Sequence, residues 1–447
     1  MKNLLLPEIQ ALLSDNRLDV LKEFCEESHP ADVADALEGL APEQLSKVLS
    51  LVSPEIAAQI FGHIEDREQI KFADAVDAKT VASLVEEMDP DDSADLLREL
   101  DEKDAAEILR HVPREEREDV RLITSYPEDT AGAIMTTEFA SLDENLTVAE
   151  ALAFLRREAP DKETIYTIYV VDSMRRLKGV VSLKDLILTA PDRKVARIVQ
   201  RDVISMRADA HQAEVADKMK DYDFLAMPIV DEADRLLGIV TFDDVMDVME
   251  DEATEDMYYL ASLNTDETVF TSPFRSFRLR IPWLILNLGT ASVSAFTVSL
   301  FESSIAKYVA LAVMMPVVAG LGGNAGTQSL TVTVRGIALG EVSIRGAWRS
   351  LLKGICAGLL LGATCGAIMG TLAGLWFHSF WFGLIVFAAM IVNLINASLF
   401  GALVPRLLRA LKLDPALGSS IFVTAMTDVG GFLIFLGLAT LFLHHLL

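Results

Sequence analysis

Two sets of carboxylates in this 447-residue chain have the type and spacing for cation chemistry. Eight fall within fourteen residues: Asp243, Asp244, Asp247, Glu250, Asp251, Glu252, Glu255 and Asp256. Like charges one turn apart destabilise a helix, and a divalent cation between them removes that cost. Mg2+ suits such a run because it keeps its waters and needs only a few carboxylates. Ca2+ is disfavoured, since the spacing of an EF-hand loop is missing. Val245, Met246, Val248 and Met249 are interleaved, so one face can pack; a merely solvated acidic helix is the plainer alternative for any one of these residues. The second set is a single residue, Asp428, within Phe422-Val423-Thr424-Ala425-Met426-Thr427-Asp428-Val429-Gly430-Gly431-Phe432. A carboxylate near mid-membrane costs about 2.5–3.5 kcal/mol on insertion scales and marks function by default. Thr424 and Ser420 lie one and two turns earlier on the same helix face.

The elements that must position these groups divide by charge. Residues 1–270 hold 62 of the 66 Asp and Glu and 28 of the 39 Lys and Arg, a net of −34. Residues 271–447 hold the other 11 basic and 4 acidic residues, a net of +7. In that second part five apolar stretches, near 281–301, 305–334, 351–376, 381–405 and 416–443, are each long enough to cross a bilayer. Arg275, Arg278, Arg280, Arg335, Arg345, Arg349, Lys353, Arg406, Arg409 and Lys412 flank one side and Lys307 the other. That bias puts the acidic body in the cytoplasm and the C-terminus outside. Pro316 can kink the second stretch, and Gly322 and Gly326 allow close helix approach. Asn324, Gln328 and Thr331 share a face there and point to a cation path. Asn393 and Asn396 in the fourth stretch are at least as well explained by packing.

Two segments of the acidic part repeat at a constant offset of 59. Ile168-Tyr169-Val170-Val171-Asp172 with Leu177-Lys178-Gly179-Val180-Val181-Ser182 parallels Met227-Pro228-Ile229-Val230-Asp231 with Leu236-Leu237-Gly238-Ile239-Val240-Thr241. Each copy reads as strand, polar turn, Gly-led strand and a helix starting near Ser182 or Thr241. With a helix upstream of each, this is a tandem β-α-β-β-α module, and it resembles a pair of CBS domains. Such pairs often sense adenosine nucleotides. The resemblance makes Ser182, Asp185, Thr241 and Asp244 the residues that could hold ATP, though the same residues cap helices. Residues 1–125 read as short helices with Ser-Pro or Asp-Pro starts. Pro30 to Leu40 echoes Pro90 to Leu100, which predicts a small all-α superhelix.

The run Met1 to Leu13 is interrupted by Pro7, Glu8 and Gln10 and makes a poor signal peptide. Cys25, Cys356 and Cys365 show no ligand or disulfide spacing and read as packing residues. No nucleophile–base set, P-loop or metal-hydrolase spacing is present, so an enzyme is not expected, and nothing points to nucleic acid.

Taken in order, these parts resemble the MgtE family of magnesium channels over essentially the whole chain. The most specific matches are Gly322-Gly323-Asn324-Ala325-Gly326-Thr327-Gln328, Asp414-Pro415-Ala416-Leu417, Thr427-Asp428-Val429 and Tyr126-Pro127-Glu128-Asp129-Thr130-Ala131-Gly132. The resemblance implies a multidomain chain: an all-α superhelical domain (1–125), an α/β tandem CBS pair (126–245), an acidic connecting or plug helix (246–272) and a five-helix transmembrane domain (273–447). It implies a homodimer in the cell's inner or plasma membrane, with Mg2+ as both substrate and regulator. Asp428, Thr424, Ser420, Asn324 and Gln328 would line the pore. Asp91, Asp95, Asp223, Asp244, Asp247, Glu252, Glu255, Asp256 and Asp414 would bind regulatory Mg2+ and close it. Ser420 stands where relatives can carry Asn in the pore; His211 and Ala213 stand where they can carry acids on the second CBS copy, which, although Asp223 is present, implies fewer or weaker sensor sites there. The rival expectations are a Mg2+ carrier coupled to H+ or Na+, and a membrane-anchored CBS receptor that transports nothing.

Overall fold

The computed structural model describes residues 5–158, 162, 164–341 and 347–446. Met1 to Leu4 and Arg345, used in the reading above, lie outside the described residues. The chain divides into two compact units, Met1–Glu250 and Asp251–Leu447.

The first unit begins with ten helices among the described residues, from α1 (Leu6–Ser14) and α2 (Leu18–Glu27) to α10 (Arg114–Thr124). Helices of two or three turns are marginal alone in water, so these depend on packing. Proline opens α3 (Pro30–Leu37), α4 (Pro42–Leu49), α5 (Pro54–Gly62) and α8 (Pro90–Glu99). There its fixed φ suits the first turn and its missing N–H leaves nothing unpaired. Asp77 caps α7 (Ala78–Val85) by accepting from the Thr80 N–H at 3.1 Å. The helices stack in two series: α3 on α5, α5 on α7 and α7 on α9 (Glu102–His111); α4 on α6 (Asp66–Ala75), α6 on α8 and α8 on α10. This is the superhelix expected from the repeat. Its core includes the fully buried Phe61 and Phe72, with ring centroids 5.1 Å apart.

Two three-stranded sheets follow. β1 (Phe139–Asp143), α11 (Val148–Glu158), β2 (Thr164–Val171), β3 (Leu177–Ser182) and α12 (Leu183–Leu188) form one copy. β4 (Met206–Arg207), α13 (Gln212–Tyr222), β5 (Ala226–Val230), β6 (Leu236–Thr241) and α14 (Phe242–Leu260) form the other. In each, the first pair of strands is parallel and the second antiparallel. The offset of 59 reflects local chemistry. Asp172 and Asp231 each accept two turn N–H groups, and Arg175 and Asp234 each take the left-handed conformation. The two turns clasp each other: Leu177 N–H donates to Asp234 O at 3.0 Å, and Leu236 N–H to Arg175 O at 2.9 Å. Gly179 and Gly238 are small because another chain segment crosses them. A Cβ would lie 2.5 Å from Gln200 O at the first and 2.5 Å from Thr136 O at the second.

In the second unit, α15 (Pro273–Ser299), α17 (Ala310–Ala338), α18 (Ala347–Trp376), α19 (Phe380–Ala410) and α20 (Ser419–Leu441) are long and apolar enough to span a membrane. The short α16 (Glu302–Lys307) and α21 (Leu443–Leu446) accompany them. α15 starts eight residues before the apolar stretch, so Arg275, Arg278 and Arg280 ride on its first turns. α18 packs along α19 at backbone distance: a Cβ on Gly362 would lie 2.6 Å from Ile391 Cα. The acidic helix differs from the expected 246–272. It starts at Phe242, continuous with the second sheet, and ends at Leu260. Ser262 takes a left-handed conformation that stops it (φ 56°), and residues 261–272 are not helical.

Candidate functional site

In the first unit the N-terminal ends of α8 and α14 bring carboxylates together. Asp89, Asp92 and Asp95 repeat every three residues along α8, and on α14 Asp244 and Asp247 are three apart with Asp243 adjacent. Burial, then Asp89, Asp244, Asp95 and Asp66, push the Asp92 carboxyl up to about 7. Burial likewise pushes Asp95 up to about 6, against the pull of Arg98, whose guanidinium donates to it at 2.7 Å. Asp244 is pushed up to about 6 by burial, Asp243 and Asp247. Asp89 and Asp247 are raised, first by burial and then by Asp243. Asp89, Asp92, Asp95, Asp243 and Asp247 keep solvent access. The cluster is thus a crowded, wet cleft rather than a sealed core. The Thr241 hydroxyl sits 2.5 Å from both Asp243 Oδ1 and Asp244 Oδ2. One hydroxyl proton cannot serve two acceptors, so charge is concentrated there beyond what the chain itself neutralises.

Asp91 is buried, at 7 % exposure, while Asp92 joins Asp95 in the cluster. Sequence reasoning missed Asp66, Asp89 and Asp92; the three-residue spacing of 89, 92 and 95 was the available signal. Asp223 stands exposed at the left-handed C-terminus of α13, on a different element. His211 caps α13, its Nδ1 accepting from the Ala213 N–H at 3.3 Å. Among the described residues no three His, Cys, Asp or Glu side chains close tightly enough to grip a bare ion.

In the second unit Asp256, on the last turns of α14, lies near Asp414. Burial, then Asp414 and Glu255, raise its pKa. Asp414 Oδ1 accepts from the N–H groups of Ala416 and Leu417 at 2.6 and 3.2 Å, shaping the turn into α20. Glu252 and Glu255 are half-buried on the same part of α14. Tyr259 and Leu260 pack with Leu330 and Val334 of α17, Val404 of α19, and Ala416 and Val423 near and on α20. Just beyond, the Ser262 and Ser420 hydroxyls are 3.0 Å apart. They line a cavity of about 350 Å³ with Thr424, Asn287 and Arg280. Arg280 grips Glu267 through Nε and Nη2, at 2.8 and 2.5 Å.

α17 packs against α20 at Gly326, where a Cβ would meet Val423 Cγ1 at 2.8 Å. The opposite side of α17 carries Asn324, Gln328 and Thr331, all exposed. Ser420, Thr424 and Asp428 form a half-buried stripe on α20.

Of the two residue pairs expected at a nucleotide, one fits a cavity. Ser182 and Asp185, bonded at 2.6 Å, line a space of about 220 Å³ with Tyr169, Gln200, Asp202 and Phe224. The Tyr169 hydroxyl is fully buried there without a hydrogen-bond partner. Thr241 and Asp244 instead belong to the cap of α14 and the carboxylate cluster. The buried Tyr was not predicted; apolar strand neighbours hide it.

Five helices long and apolar enough to span a membrane, one of them carrying Asp428, follow an acidic helical domain and two β-α-β-β-α copies, which is the architecture of a CBS-regulated membrane protein. A family model described as a divalent cation transporter matches residues 315–438, one for the MgtE intracellular N domain matches 28–129, and CBS models match 131–191 and 195–251. The chain is 38% identical over 454 residues to the magnesium transporter MgtE of Thermus thermophilus, covering 99% of this chain and all of that one. It is 34% identical over 443 residues to that of Bacillus subtilis, covering 99% and 98%. The chain belongs to the MgtE family of magnesium transporters. Among solved structures, the cytosolic domain of the Mg2+ channel MgtE in complex with ATP is 41% identical with a TM-score of 0.52, over 55% of this chain and all of that one. The soluble part of a magnesium transporter is 36% identical with a TM-score of 0.52, over 56% and 98%.

Proposed function

We propose that this chain is a Mg2+-selective channel that imports magnesium and is closed by cytoplasmic Mg2+. The observation that carries the gating is the crowding of Asp89, Asp92, Asp95, Asp243, Asp244 and Asp247 where α8 and α14 meet, with burial and then neighbouring carboxylates raising Asp92, Asp95 and Asp244. Without cations these acidic surfaces repel and loosen. Hydrated Mg2+ ions held by Asp89, Asp92, Asp95, Asp244 and Asp247 join α8 to α14. Ions at Glu252, Glu255, Asp256 and Asp414 hold the end of α14 against α17 and α20. Mg2+ therefore prefers the closed state and shifts the population towards it. Asp91 and Asp223 are assigned lesser parts, the first because it is buried. The protein acts as a homodimer, its acidic domains cytoplasmic and its C-terminus outside. The exposed Asn324 and Gln328 face of α17 and the Ser420, Thr424, Asp428 stripe of α20 line the path. Two Asp428 carboxylates across a narrow pore favour a divalent ion that keeps its waters.

A patch-clamp titration of cytoplasmic Mg2+ on the full chain tests this. Unitary currents at low Mg2+ that vanish as Mg2+ rises are expected. Transport without unitary currents would make the chain a carrier, and no Mg2+ movement would make it a receptor.

A second reading concerns ATP. The cavity at Ser182, Asp185 and Tyr169 suits a nucleobase and ribose, with Asp185 accepting from ribose hydroxyls and Tyr169 gaining a partner. A nucleotide there stabilises the CBS pair by mass action. ATP should raise the melting temperature of the full chain, and Asp185→Ala should abolish that shift; an equal shift in the variant removes the assignment.

A further inference from the structure

We infer that Asn393 and Asn396 are positioning residues for ion permeation: an amide clamp on α19 that fixes α17 and α20 against each other and so sets where Asp428 stands. The inference rests on the pore reading above. Asn393 is completely buried, at 0 % exposure. Its Nδ2 donates to Val318 O of α17 at 2.9 Å, two residues beyond Pro316. One turn on, Asn396 Nδ2 donates to Met426 O of α20 at 3.2 Å, two residues before Asp428. The same face of one helix thus holds both proposed pore helices by their backbones.

Three glycines stand opposite these amides. A Cβ on Gly322 would lie 2.5 Å from Asn393 Nδ2, and one on Gly431 2.9 Å from Asn393 Oδ1. A Cβ on Gly430 would lie 2.5 Å from Asn396 Nδ2. Each amide therefore occupies space that only a glycine leaves free, and Gly430 and Gly431 follow Asp428 within one turn. Asn393 Oδ1 is buried with no hydrogen-bond partner. A Leu of similar volume would fill that space without the cost of desolvating an amide. What the amide adds is direction: a hydrogen bond fixes the rotation and height of a helix, whereas apolar packing between small residues permits sliding. Rotating α20 by a small angle moves Asp428 off the path.

The test uses the full chain reconstituted into liposomes at matched protein density, with Mg2+ and Ca2+ fluxes measured separately. Asn393→Ala and Asn396→Ala are expected to lower the Mg2+ to Ca2+ flux ratio about fivefold, the order of one lost interhelical amide bond. Gly430→Ala should do the same, and the Gly430→Ala/Asn396→Ala double variant should be no worse than either single, because the two changes act on one contact. A merely structural role would lower thermal stability and leave the ratio of the surviving protein unchanged, and that result overturns the clamp. If Asn393→Ala does not reconstitute, the Asn396 and Gly430 cycle decides alone. Asp428→Asn separates the two readings. Normal flux in that variant removes the pore reading, whereas lost flux with an unaltered ratio in the Asn variants removes only the clamp.

Discussion

The carboxylates of the soluble unit and the deep carboxylate of the apolar helices differ in number, company and surroundings. Six of the former, from Asp89 to Asp247, crowd the ends of two helices and keep contact with water, and burial with neighbouring carboxylates raises the pKa values of Asp89, Asp92, Asp95, Asp244 and Asp247. Asp428 stands within a span whose neighbours are Thr424, Ser420 and glycines. Many weak, wet carboxylates give a graded response to ion concentration. In the proposed gating each binds poorly alone, and the ions act by cancelling repulsion between surfaces. A single desolvated charge gives an ion a place to stand, and its removal cannot be covered by a neighbour. The proposed sensor and pore thus use one chemistry in two dielectric settings.

The comparison is broken most directly at Asp428. Asp428→Asn should lower Mg2+ flux roughly a hundredfold, since removing one partner of a buried charge interaction costs about 3 kcal/mol. Uptake into Mg2+-free liposomes at matched protein measures it, and near-normal uptake would put the ion path elsewhere. A smaller effect is expected from the cluster. Asp92→Asn, Asp95→Asn and Asp244→Asn together should leave maximal flux intact and shift the Mg2+ concentration for half-closure about tenfold, as three weak outer-shell contacts of ~0.5 kcal/mol each would do. Closure at the wild-type concentration would show that these carboxylates are bystanders.

The smallest effect is that of protons. Packing raises the Asp92 carboxyl to about 7 and those of Asp95 and Asp244 to about 6, above their ordinary 3.8. A raised carboxylate favours the assembled cluster when protonated. Its contribution is therefore complete below the ordinary value and is lost as pH rises through about 6 and then about 7. In Mg2+-free buffer, protease resistance of the α8 region should rise as pH falls from 8 to 5.5 (roughly, spanning both values), and the triple Asn variant should show no such rise. A pH-independent pattern in the unsubstituted chain would mean that the cluster is open to bulk water in solution.

Much of the architecture was legible before the fold. The constant offset of 59 marks residues that recur for local reasons: Asp172 and Asp231 bind their own turns, and Gly179 and Gly238 admit a crossing strand. Proline starts of α3, α4, α5 and α8 show in the sequence because they depend on one residue's geometry. The end of α14 was misjudged, since nothing in its sequence pattern marks the left-handed turn at Ser262 that stops it, just after Tyr259 and Leu260 dock. Ser182/Asp185 and Thr241/Asp244 are equivalent by spacing, yet the first pair borders a cavity and the second belongs to the cap of α14.

By itself the sequence determined the five spans, the division of charge, the repeated sheet module and the presence of a lone carboxylate at Asp428, because hydrophobicity, charge and local turn chemistry are properties of short stretches of chain. Only the tertiary structure decided that Asp92 meets Asp244, and that Asn393 and Asn396 reach two neighbouring helices. Those outcomes depend on how each helix is rotated against its neighbours. A rotation is fixed by packing among residues far apart in the chain, and no local pattern encodes it.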